Sequence, residues 1–340
     1  METNSPAIIS GTPASEDQDE AYDAASEAEL RASVVDARHH GQRLDKVLAD
    51  TITEFSRSYL QQLIEQGAVE RNGAALSKPS ARLKAGDQIV VALRPTAQSL
   101  AFKPEKMALD VVFEDAHLLV IHKPAGLVVH PAPGNWSGTL LNGLLAWDPG
   151  LSDLPRAGIV HRLDKDTSGL MLVARSRASM DALVRMIAQR SVKRQYLALA
   201  HRPWTGPSPR EVHLAIGRDP TNRLRMAVVD SQRSGAKDAR TTVELLANTQ
   251  AGCLVRCSLH TGRTHQIRVH MAAIGHPLVS DAVYGGAAGL GLKRQALHAF
   301  RLALPHPVLG QMLEFVAPLP PDMVAALAQW GLRYNRADSA

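Results

Sequence analysis

Apolar residues first recur at a regular spacing near residue 41 of the 340-residue chain. Two sets recur every three to four positions, as on one face of a helix, and predict two short helices. They are Leu44, Val47 and Leu48, followed by Leu60, Leu63 and Ile64. An Asn72-Gly73 turn and an apolar run at 88–93 indicate strands. These elements, within about fifty residues, predict a small domain with a thin core over 41–94.

A second, longer series of apolar runs begins at residue 109. The runs that predict strands are 109–113, 118–121, 170–174, 196–200, 223–229, 240–246, 254–259 and 312–316. Amphipathic segments at 178–189 and 264–275 predict helices. Strands that follow each other through short loops, with few helices between them, favour a mixed, largely antiparallel sheet with flanking helices. We therefore expect an α+β chain whose larger domain spans 109–325.

The segments outside these two domains lack regular apolar spacing. Residues 1–33 are rich in Ser, Ala, Pro, Glu and Asp. Such a segment cannot bury enough apolar surface to offset the entropy of ordering, so we predict a disordered acidic tail. Residues 95–108, which include Pro95 and Pro104, are expected to form a linker, and residues 326–340 a C-terminal tail.

Charge is unevenly distributed along the chain. The formal net charge is +5, but residues 1–30 carry eight acidic side chains and no Lys or Arg. These residues therefore carry a formal charge of −8. The rest of the chain carries +13, because +5 minus −8 is +13. A basic body suggests a polyanionic partner, most commonly a nucleic acid, although a role in solubility alone would give the same charge.

Two cysteines, Cys253 and Cys257, lie four positions apart in a predicted strand. Residues on one face of a strand are poorly placed for a disulfide, and two ligands are too few for a zinc site. We therefore expect buried thiols in a reducing, cytoplasmic protein. No apolar run is long enough to cross a bilayer, and the N-terminus has no signal-peptide pattern, so no membrane partner is expected.

Three polar clusters of the larger domain each lie at the end of a predicted element. They are residues 161–169 (HRLDKDTSG), 193–196 (KRQY) and 261–268 (TGRTHQIR). If the clusters converge, they combine a carboxylate, a phenol and a guanidinium group. An arginine beside an aspartate keeps the carboxylate ionised and fixes its direction, which suits a nucleophile or a base.

Other chemistries find less support in the same residues. His161, Asp164 and Asp166 superficially resemble a metal-ligand set, but Arg162 and Lys165 beside them would repel a cation. The serine of the first cluster lacks the strand-turn-helix glycine signature of a nucleophile elbow. The chain also has no glycine-rich phosphate loop. We therefore expect neither a metal site nor nucleotide hydrolysis.

Residues 41–94 resemble an S4 RNA-binding domain. The resemblance rests on several motifs in the expected order, among them Arg43-Leu44-Asp45-Lys46, Asn72-Gly73 and Gly86-Asp87. It implies that four basic side chains face RNA phosphates, which contribute affinity but little sequence information. These side chains are Arg43, Arg57, Arg71 and Lys78.

The three polar clusters resemble the motifs of the RluA family of RNA pseudouridine synthases. The fourth motif of that family is matched by Lys123-Pro124-Ala125-Gly126-Leu127, although the preceding residue, usually Asn in the family, is His122 here. The resemblance covers about residues 41–325, and it implies the pseudouridine synthase fold. It also implies a reaction that exchanges the N1–C1′ bond of a uridine in RNA for a C5–C1′ bond. No redox change or net hydrolysis occurs, so no cofactor is expected.

The same resemblance assigns roles to four residues. Asp164 would be the catalytic aspartate, which either attacks C1′ or removes a ribose proton. Tyr196 would stack on the uracil and take part in removing the C5 proton, and Arg268 would pair with Asp164. Arg162 would occupy the space left by the flipped base, since the target atom cannot be reached inside a stacked helix.

Residues 128–135 and 138–142 most resemble the RluD subgroup. That subgroup modifies neighbouring uridines in one stem-loop of bacterial 23S ribosomal RNA, so the expected partner is 23S rRNA, free or in a pre-50S particle. We expect the protein to act as a monomer. An RluC-like synthase acting at other sites of the same RNA is the first alternative. A nucleoside hydrolase and an inactive RNA-binding module are others, and the intact Asp, Tyr and Arg motifs argue against the module.

Overall fold

The computed structural model describes residues 29–53, 55, 57–93, 99–132, 135–222 and 224–334. The chain forms two compact units, Met1–Ser99 and Leu100–Ala340. Residues 1–28 of the predicted acidic tail lie outside the described residues. Within the described ranges, no helix combines the length and the apolar character needed to cross a membrane.

The first unit is a four-stranded antiparallel sheet packed against two helices. Its elements are β1 (Glu29–Val34), α1 (Leu44–Thr51), α2 (Arg57–Glu65), β2 (Val69–Arg71), β3 (Ala74–Ala75) and β4 (Gln88–Leu93). The strands lie in the order β1-β4-β2-β3. Leu48 of α1 and Leu63 of α2 share a core with Val69 and Val91 of the sheet. The two helices expected from the apolar spacing are therefore confirmed.

Strand β1 corrects the prediction that residues 1–33 are disordered throughout. It pairs with β4 along its whole length, from Glu29 opposite Leu93 to Val34 opposite Gln88. Leu30, Ala32 and Val34 lie on one face of this strand, but the side chains of residues 30–34 are exposed, so the face is not buried in a core. Its order comes from main-chain hydrogen bonds to a partner about sixty residues later, which a local pattern does not indicate.

The second unit is built on a nine-stranded sheet. The unit as a whole has eleven strands among its described residues, which are in chain order β5 (Val111–Glu114), β6 (Leu118–Lys123), β7 (Ser168–Ala174), β8 (Lys193–His201), β9 (Arg210–His213), β10 (Ile216–Arg218), β11 (Met226–Val228), β12 (Arg240–Asn248), β13 (Gly252–Leu259), β14 (Leu297–Pro305) and β15 (Met312–Val316). The order is β5-β6-β7-β14-β8-β13-β12-β9, with β15 paired to β14, while β10 and β11 form a separate sheet. Among the described strands, β7 and β14 form the one parallel pair. The predicted mixed, largely antiparallel sheet is confirmed.

Four helices pack on this unit's sheet. They are α3 (Leu140–Trp147), α4 (Arg177–Ala188), α5 (Gln266–Ala273) and α6 (Pro321–Gln329). Alternate residues of a strand point to opposite faces. Along β8, Tyr196 and Ala198 join the core that includes α3 and α5, whereas Leu197 and Leu199 join the core that includes α6. The face that carries Tyr196 is therefore the face against which α5 packs.

The C-terminal boundary expected from the sequence is wrong. Helix α6 continues through Gln329, and Ala326 and Leu327 are buried beside Met323, so the chain does not become a tail at residue 326. Residues 335–340 lie outside the described residues. The cysteines agree with expectation, since both are free, buried thiols on β13.

Part of the predicted linker packs on the second unit. The side-chain amide of Asn142, on α3, donates hydrogen bonds to the carbonyl oxygens of Ala101 and Lys103 at 3.2 and 2.8 Å. Ala101 is also buried. Residues 94–98 lie outside the described residues.

Candidate active site

Main-chain hydrogen bonds hold the loop that precedes β7. The amide N–H of Thr167 donates to the carbonyl oxygen of Asp164 at 3.1 Å and closes a turn. The buried ammonium group of Lys123 donates to the carbonyl oxygens of Pro124, Leu127 and Lys165 at 2.7, 3.0 and 2.9 Å. Lys123 therefore ties the segment at 124–127 to the loop that carries Asp164.

Lys123 uses all three of its N–H groups in these bonds. Burial lowers its pKa to about 8, against the opposing effect of Asp166 and Asp164. The side chain is therefore protonated at neutral pH. Lys165 is exposed, and Asp166 is half-buried.

Gly169 allows β7 to approach β14 closely. Its φ is +123°, and a Cβ at this position would lie 2.2 Å from the carbonyl oxygen of Ala299. The neighbouring hydroxyl group of Ser168 lies 2.9 Å from Nδ1 of His298. Ser168 and Gly169 are the first residues of β7, two positions earlier than the strand predicted at 170–174. This close pairing fixes where the loop with Asp164 leaves the sheet.

Arg268, on α5, lies between two carboxylates. Its Nη1 donates to Asp164 Oδ2 at 3.2 Å, while its Nε and Nη2 donate to Oδ2 and Oδ1 of Asp281 at 2.7 and 2.8 Å. The expected pairing of Arg268 with Asp164 is present, although Arg268 is bound more closely by Asp281. Burial lowers the pKa of Arg268, but the hydrogen bonds and charges of Asp281 and Asp164 outweigh burial, and the pKa is raised.

Tyr284 joins this cluster three residues after Asp281. Its ring lies over the guanidinium group of Arg268, 4.9 Å from the ring centre. Its hydroxyl oxygen accepts the amide N–H of Met226 at 3.1 Å and is hydrogen-bonded to Nδ1 of His265 at 2.7 Å. Nε2, the other ring nitrogen of His265, lies 3.8 Å from Asp164 Oδ1. Arg268 and His265 thus face the two oxygens of Asp164.

The sequence patterns did not predict Asp281, Tyr284 or the role of His265. Asp281 directly precedes a short 3-10 turn, and Tyr284 is the last residue of that turn. The turn has no apolar periodicity to mark it in the sequence. The available signal was the following Gly285-Gly286 pair, because a Cβ at Gly286 would lie 1.8 Å from the carbonyl oxygen of Leu278. A glycine pair of this kind indicates a tight turn whose neighbouring side chains are fixed in direction.

Tyr196 reaches the same region from β8. It lies opposite Cys257 of β13 and Ala299 of β14, and its exposed fraction is 5%. Burial raises its pKa to about 12, and the charge of Asp164 contributes in the same direction. The phenol is therefore protonated at neutral pH, and the second polar cluster lies close enough to the first for their charges to interact.

His161 and Arg162 occupy different environments within the loop. The amide N–H of Leu172 donates to Nε2 of His161 at 2.9 Å, so His161 braces the loop against β7. Burial, together with the nearby Arg194, lowers the pKa of His161 to about 3, so the imidazole is neutral. Arg162 is exposed, and burial, followed by the charge of Arg162, lowers the pKa of His130 to about 4.

His265 of the third cluster and His270, two residues beyond that cluster, make hydrogen bonds within the protein. Besides the contact of His265 described above, His270 hydrogen-bonds through its two ring nitrogens to the hydroxyl of Thr241 and the carbonyl oxygen of Leu214. In the part of the chain that the structure describes, no group of three or more His, Cys, Asp or Glu side chains is arranged to hold a metal ion.

In the first unit, Asp45 brings two of the expected RNA-binding arginines together. Nε of Arg43 and Nη2 of Arg57 donate to its buried carboxylate at 3.0 and 2.8 Å, and Gln61 donates at 2.7 Å. Hydrogen bonds from Arg43, and then from Arg57 and Gln61, hold the pKa of Asp45 well below its usual range against burial. The side chains of Arg43 and Arg57 remain 46% and 50% exposed.

The other two expected RNA-binding residues lie elsewhere on this unit. Nη1 of Arg71 donates to the carbonyl oxygen of Arg82 at 3.2 Å and lies 4.0 Å from Asp87 Oδ2. Lys78 is exposed. The structure thus places all four basic groups partly or fully in contact with solvent, and it links only Arg43 and Arg57 through a shared partner.

Each of the two units matches a known protein family. The family model described as RNA pseudouridylate synthase matches residues 117–273, and the S4 domain model matches residues 42–89. Ribosomal large subunit pseudouridine synthase D of Neisseria meningitidis serogroup B is 49% identical over 329 residues, 92% of this chain and 85% of that protein. The chain belongs to the RluA family of RNA pseudouridine synthases. The protein of the same name from Nitrosomonas europaea is 48% identical over 297 residues, 84% of each chain.

Solved structures of pseudouridine synthases share the fold of the second unit. Human RNA Pseudouridylate Synthase Domain Containing 1 superposes with a TM-score of 0.52 at 28% identity, over 68% of this chain and 89% of that chain. As a pseudouridine synthase, the enzyme isomerises uridine in RNA, and its three polar clusters meet around Asp164.

Proposed function

We propose that this pseudouridine synthase modifies uridines of 23S ribosomal RNA, at neighbouring positions of one stem-loop, with Asp164 as its catalytic group. The relatives that bear the name ribosomal large subunit pseudouridine synthase D support the choice of RNA. The observation that carries the assignment of Asp164 is the contact of its Oδ2 with Nη1 of the buried Arg268 at 3.2 Å. This contact balances the charge of the carboxylate and fixes its direction.

The reaction requires one carboxylate that acts on the ribose and a site that retains the detached base. Glycoside hydrolysis uses a second carboxylate on the opposite face, often to activate water. Here the uracil must be kept and rejoined, so a water-activating base would work against the product. Asp164 acts on the ribose by attacking C1′ or by removing the C2′ proton to give a glycal. Deuterium at C2′ would slow the glycal route, because that route breaks the bond between C2′ and its hydrogen, and it would not slow attack on C1′ in this way.

Tyr196 supplies the surface on which the uracil stacks. With a pKa raised to about 12, its phenol is protonated at neutral pH. It can accept the C5 proton only if it releases its own proton in the same step. The assignment of Tyr196 to the site rests on its place on β8 and on the electrostatic influence of Asp164 upon it.

Arg162 and the S4 unit would contact the RNA outside the reacting nucleotide. The exposed Arg162 is suited to fill the gap that the flipped base leaves in the stack. In the S4 unit, Arg43, Arg57, Arg71 and Lys78 would bind phosphates, with Asp45 fixing the direction of two of them. Substrate RNA of this kind implies a cytoplasmic enzyme, and we propose that it acts as a monomer.

The test is incubation with transcribed 23S rRNA, without metal or nucleotide, followed by chemical mapping of pseudouridine. The native enzyme should modify neighbouring uridines of one stem-loop, whereas modification elsewhere in the RNA would indicate the RluC-like alternative. Asp164→Asn should give no product and retain RNA affinity. Asp166→Asn, in the same loop, is the matched control and should remain active. Product from Asp164→Asn, or a parallel loss of RNA binding, would refute the assignment.

A further inference from the structure

Arg194 is a buried cation that the reaction described so far does not use. It is the second residue of the KRQY cluster on β8, and only 6% of it is exposed. Its Nε is buried and has no hydrogen-bond partner among the described residues. Arg268 is equally buried, but two carboxylates bind it. A buried charge without a partner destabilises the folded state. We therefore expect Arg194 to gain its partner when the substrate is bound.

The guanidinium group of Arg194 lies inside the candidate active site. Arg194 and Tyr196 are two residues apart on one strand, so their side chains share a face and start about 7 Å apart. The charge of Arg194 acts on both Tyr196 and His161. A Cβ on Gly262, in the loop that leads to α5, would lie 2.9 Å from Nη1 of Arg194. The group therefore lies where the three polar clusters converge.

A second donor without an acceptor lies nearby. Nε2 of His161 accepts the amide N–H of Leu172, so the proton of this neutral imidazole lies on Nδ1. Nδ1 is buried and has no hydrogen-bond partner within the described part of the chain. The Nε–H of the Arg194 guanidinium group and the Nδ1–H of His161, neither with an acceptor among the described residues, complement a ligand that brings negative charge and acceptor atoms. A carbonyl-bearing anion has both properties.

We propose that Arg194 binds the uracil anion that forms when the N1–C1′ bond breaks. This inference rests on the proposed function. The electron pair of the broken bond stays on the base, whose charge is shared among N1, O2 and O4. C5 then bonds to C1′, the C5 proton leaves, and N1 takes up a proton, so the overall change is an isomerisation. Arg194 holds the base through the interval in which it has no covalent bond to the RNA.

The experiment compares Arg194→Gln and Arg194→Lys with Arg256→Gln. Arg256 is a mostly buried arginine on the neighbouring strand β13, and its guanidinium group is paired with Glu244, so it is the matched control. Pseudouridine formation, release of free uracil and thermal unfolding are measured for each full-length variant with the same rRNA. The Arg256→Gln variant should match the native enzyme in both chemical measurements.

For Arg194→Gln we expect pseudouridine formation to fall roughly a hundredfold, as when a donor to a developing anion is removed from an enzyme. The ratio of free uracil to pseudouridine should rise, and Arg194→Lys should restore part of the lost activity. The unfolding temperature should stay the same or rise, because the substitution removes a buried charge that has no partner.

Two results would overturn the proposal. The first is Arg194→Gln with the native rate and no free uracil. The second is Arg194→Gln with a lowered unfolding temperature and a lowered rate but no free uracil, which would identify a purely structural residue. If the native enzyme itself makes no pseudouridine in any 23S rRNA, the proposed function fails, and that result is distinct from either of these.

Discussion

Replacing Asp281 with asparagine should weaken both the fold and the reaction through Arg268. The native carboxylate accepts two hydrogen bonds from Arg268, at 2.7 and 2.8 Å, and is itself fully buried. An asparagine can accept one of them, but its NH2 group would face the other donor. Arg268 would then keep only its 3.2 Å contact with Asp164 and the ring of Tyr284.

The expected loss of stability can be estimated from this geometry. Removing one partner of a buried ion pair costs roughly 3–5 kcal/mol. Because Arg268 retains Asp164, we expect the lower end, about 3 kcal/mol. For a domain of 150–250 residues, roughly 2–4 °C accompany each kcal/mol, so the unfolding temperature of the catalytic unit should fall by about 6–12 °C. A displacement of Asp164 by about 1 Å would cost roughly a hundredfold in rate.

Thermal unfolding and single-turnover pseudouridine formation test both parts of this prediction. Asp181→Asn makes the same substitution in an exposed pair with Arg177 on α4, and it should change stability by no more than about 0.5 kcal/mol. If Asp281→Asn behaves like this control in both assays, Asp281 does not hold Arg268 in place, and the reasoning fails.

Three further substitutions test other parts of the structure. Lys123→Met removes a lysine whose pKa is lowered to about 8, below its value in the unfolded chain. The native protein should therefore gain stability relative to this variant as pH rises above about 8, which urea unfolding at several pH values measures. Gly169→Ala would place a Cβ 2.2 Å from the carbonyl oxygen of Ala299, so urea unfolding should show a loss of about 3 kcal/mol or more, whereas Gly310→Ala, with open space around it, should cost about 1 kcal/mol. Asp45 has a lowered pKa, so the S4 unit should lose stability as pH falls below about 4, and acid titration of Asp45→Asn should lack this loss.

Local patterns in the sequence predicted the elements and the family motifs, but not how distant segments meet. The periodic apolar positions of α1 and α2 and the motif residues Asp164, Tyr196 and Arg268 each have a signal within a few neighbouring positions. The contact of Asp164 with Arg268 was expected because both belong to recognisable motifs. It could not have been derived from spacing, since 104 residues separate them.

The features that were missed depend on contacts over a distance. Asp281 becomes important only because α5 turns the side chain of Arg268 toward it. The exposed strand β1 is ordered only because β4 offers it a free edge. Arg43 and Arg57 each look like a separate surface cation in the sequence, and their connection becomes visible once Asp45 lies buried between them.

The position of β14 in the sheet has a consequence for biosynthesis. This strand is made about a hundred residues after Tyr196, yet it lies between β7 and β8. At roughly 5–20 residues per second, about 5–20 s pass on the ribosome before it is available. During that time, the inner edges of β7 and β8 have no partner between them and can pair with other chains. We therefore expect the nascent enzyme to be inactive, and its two strand edges to remain open to other chains, until β14 emerges.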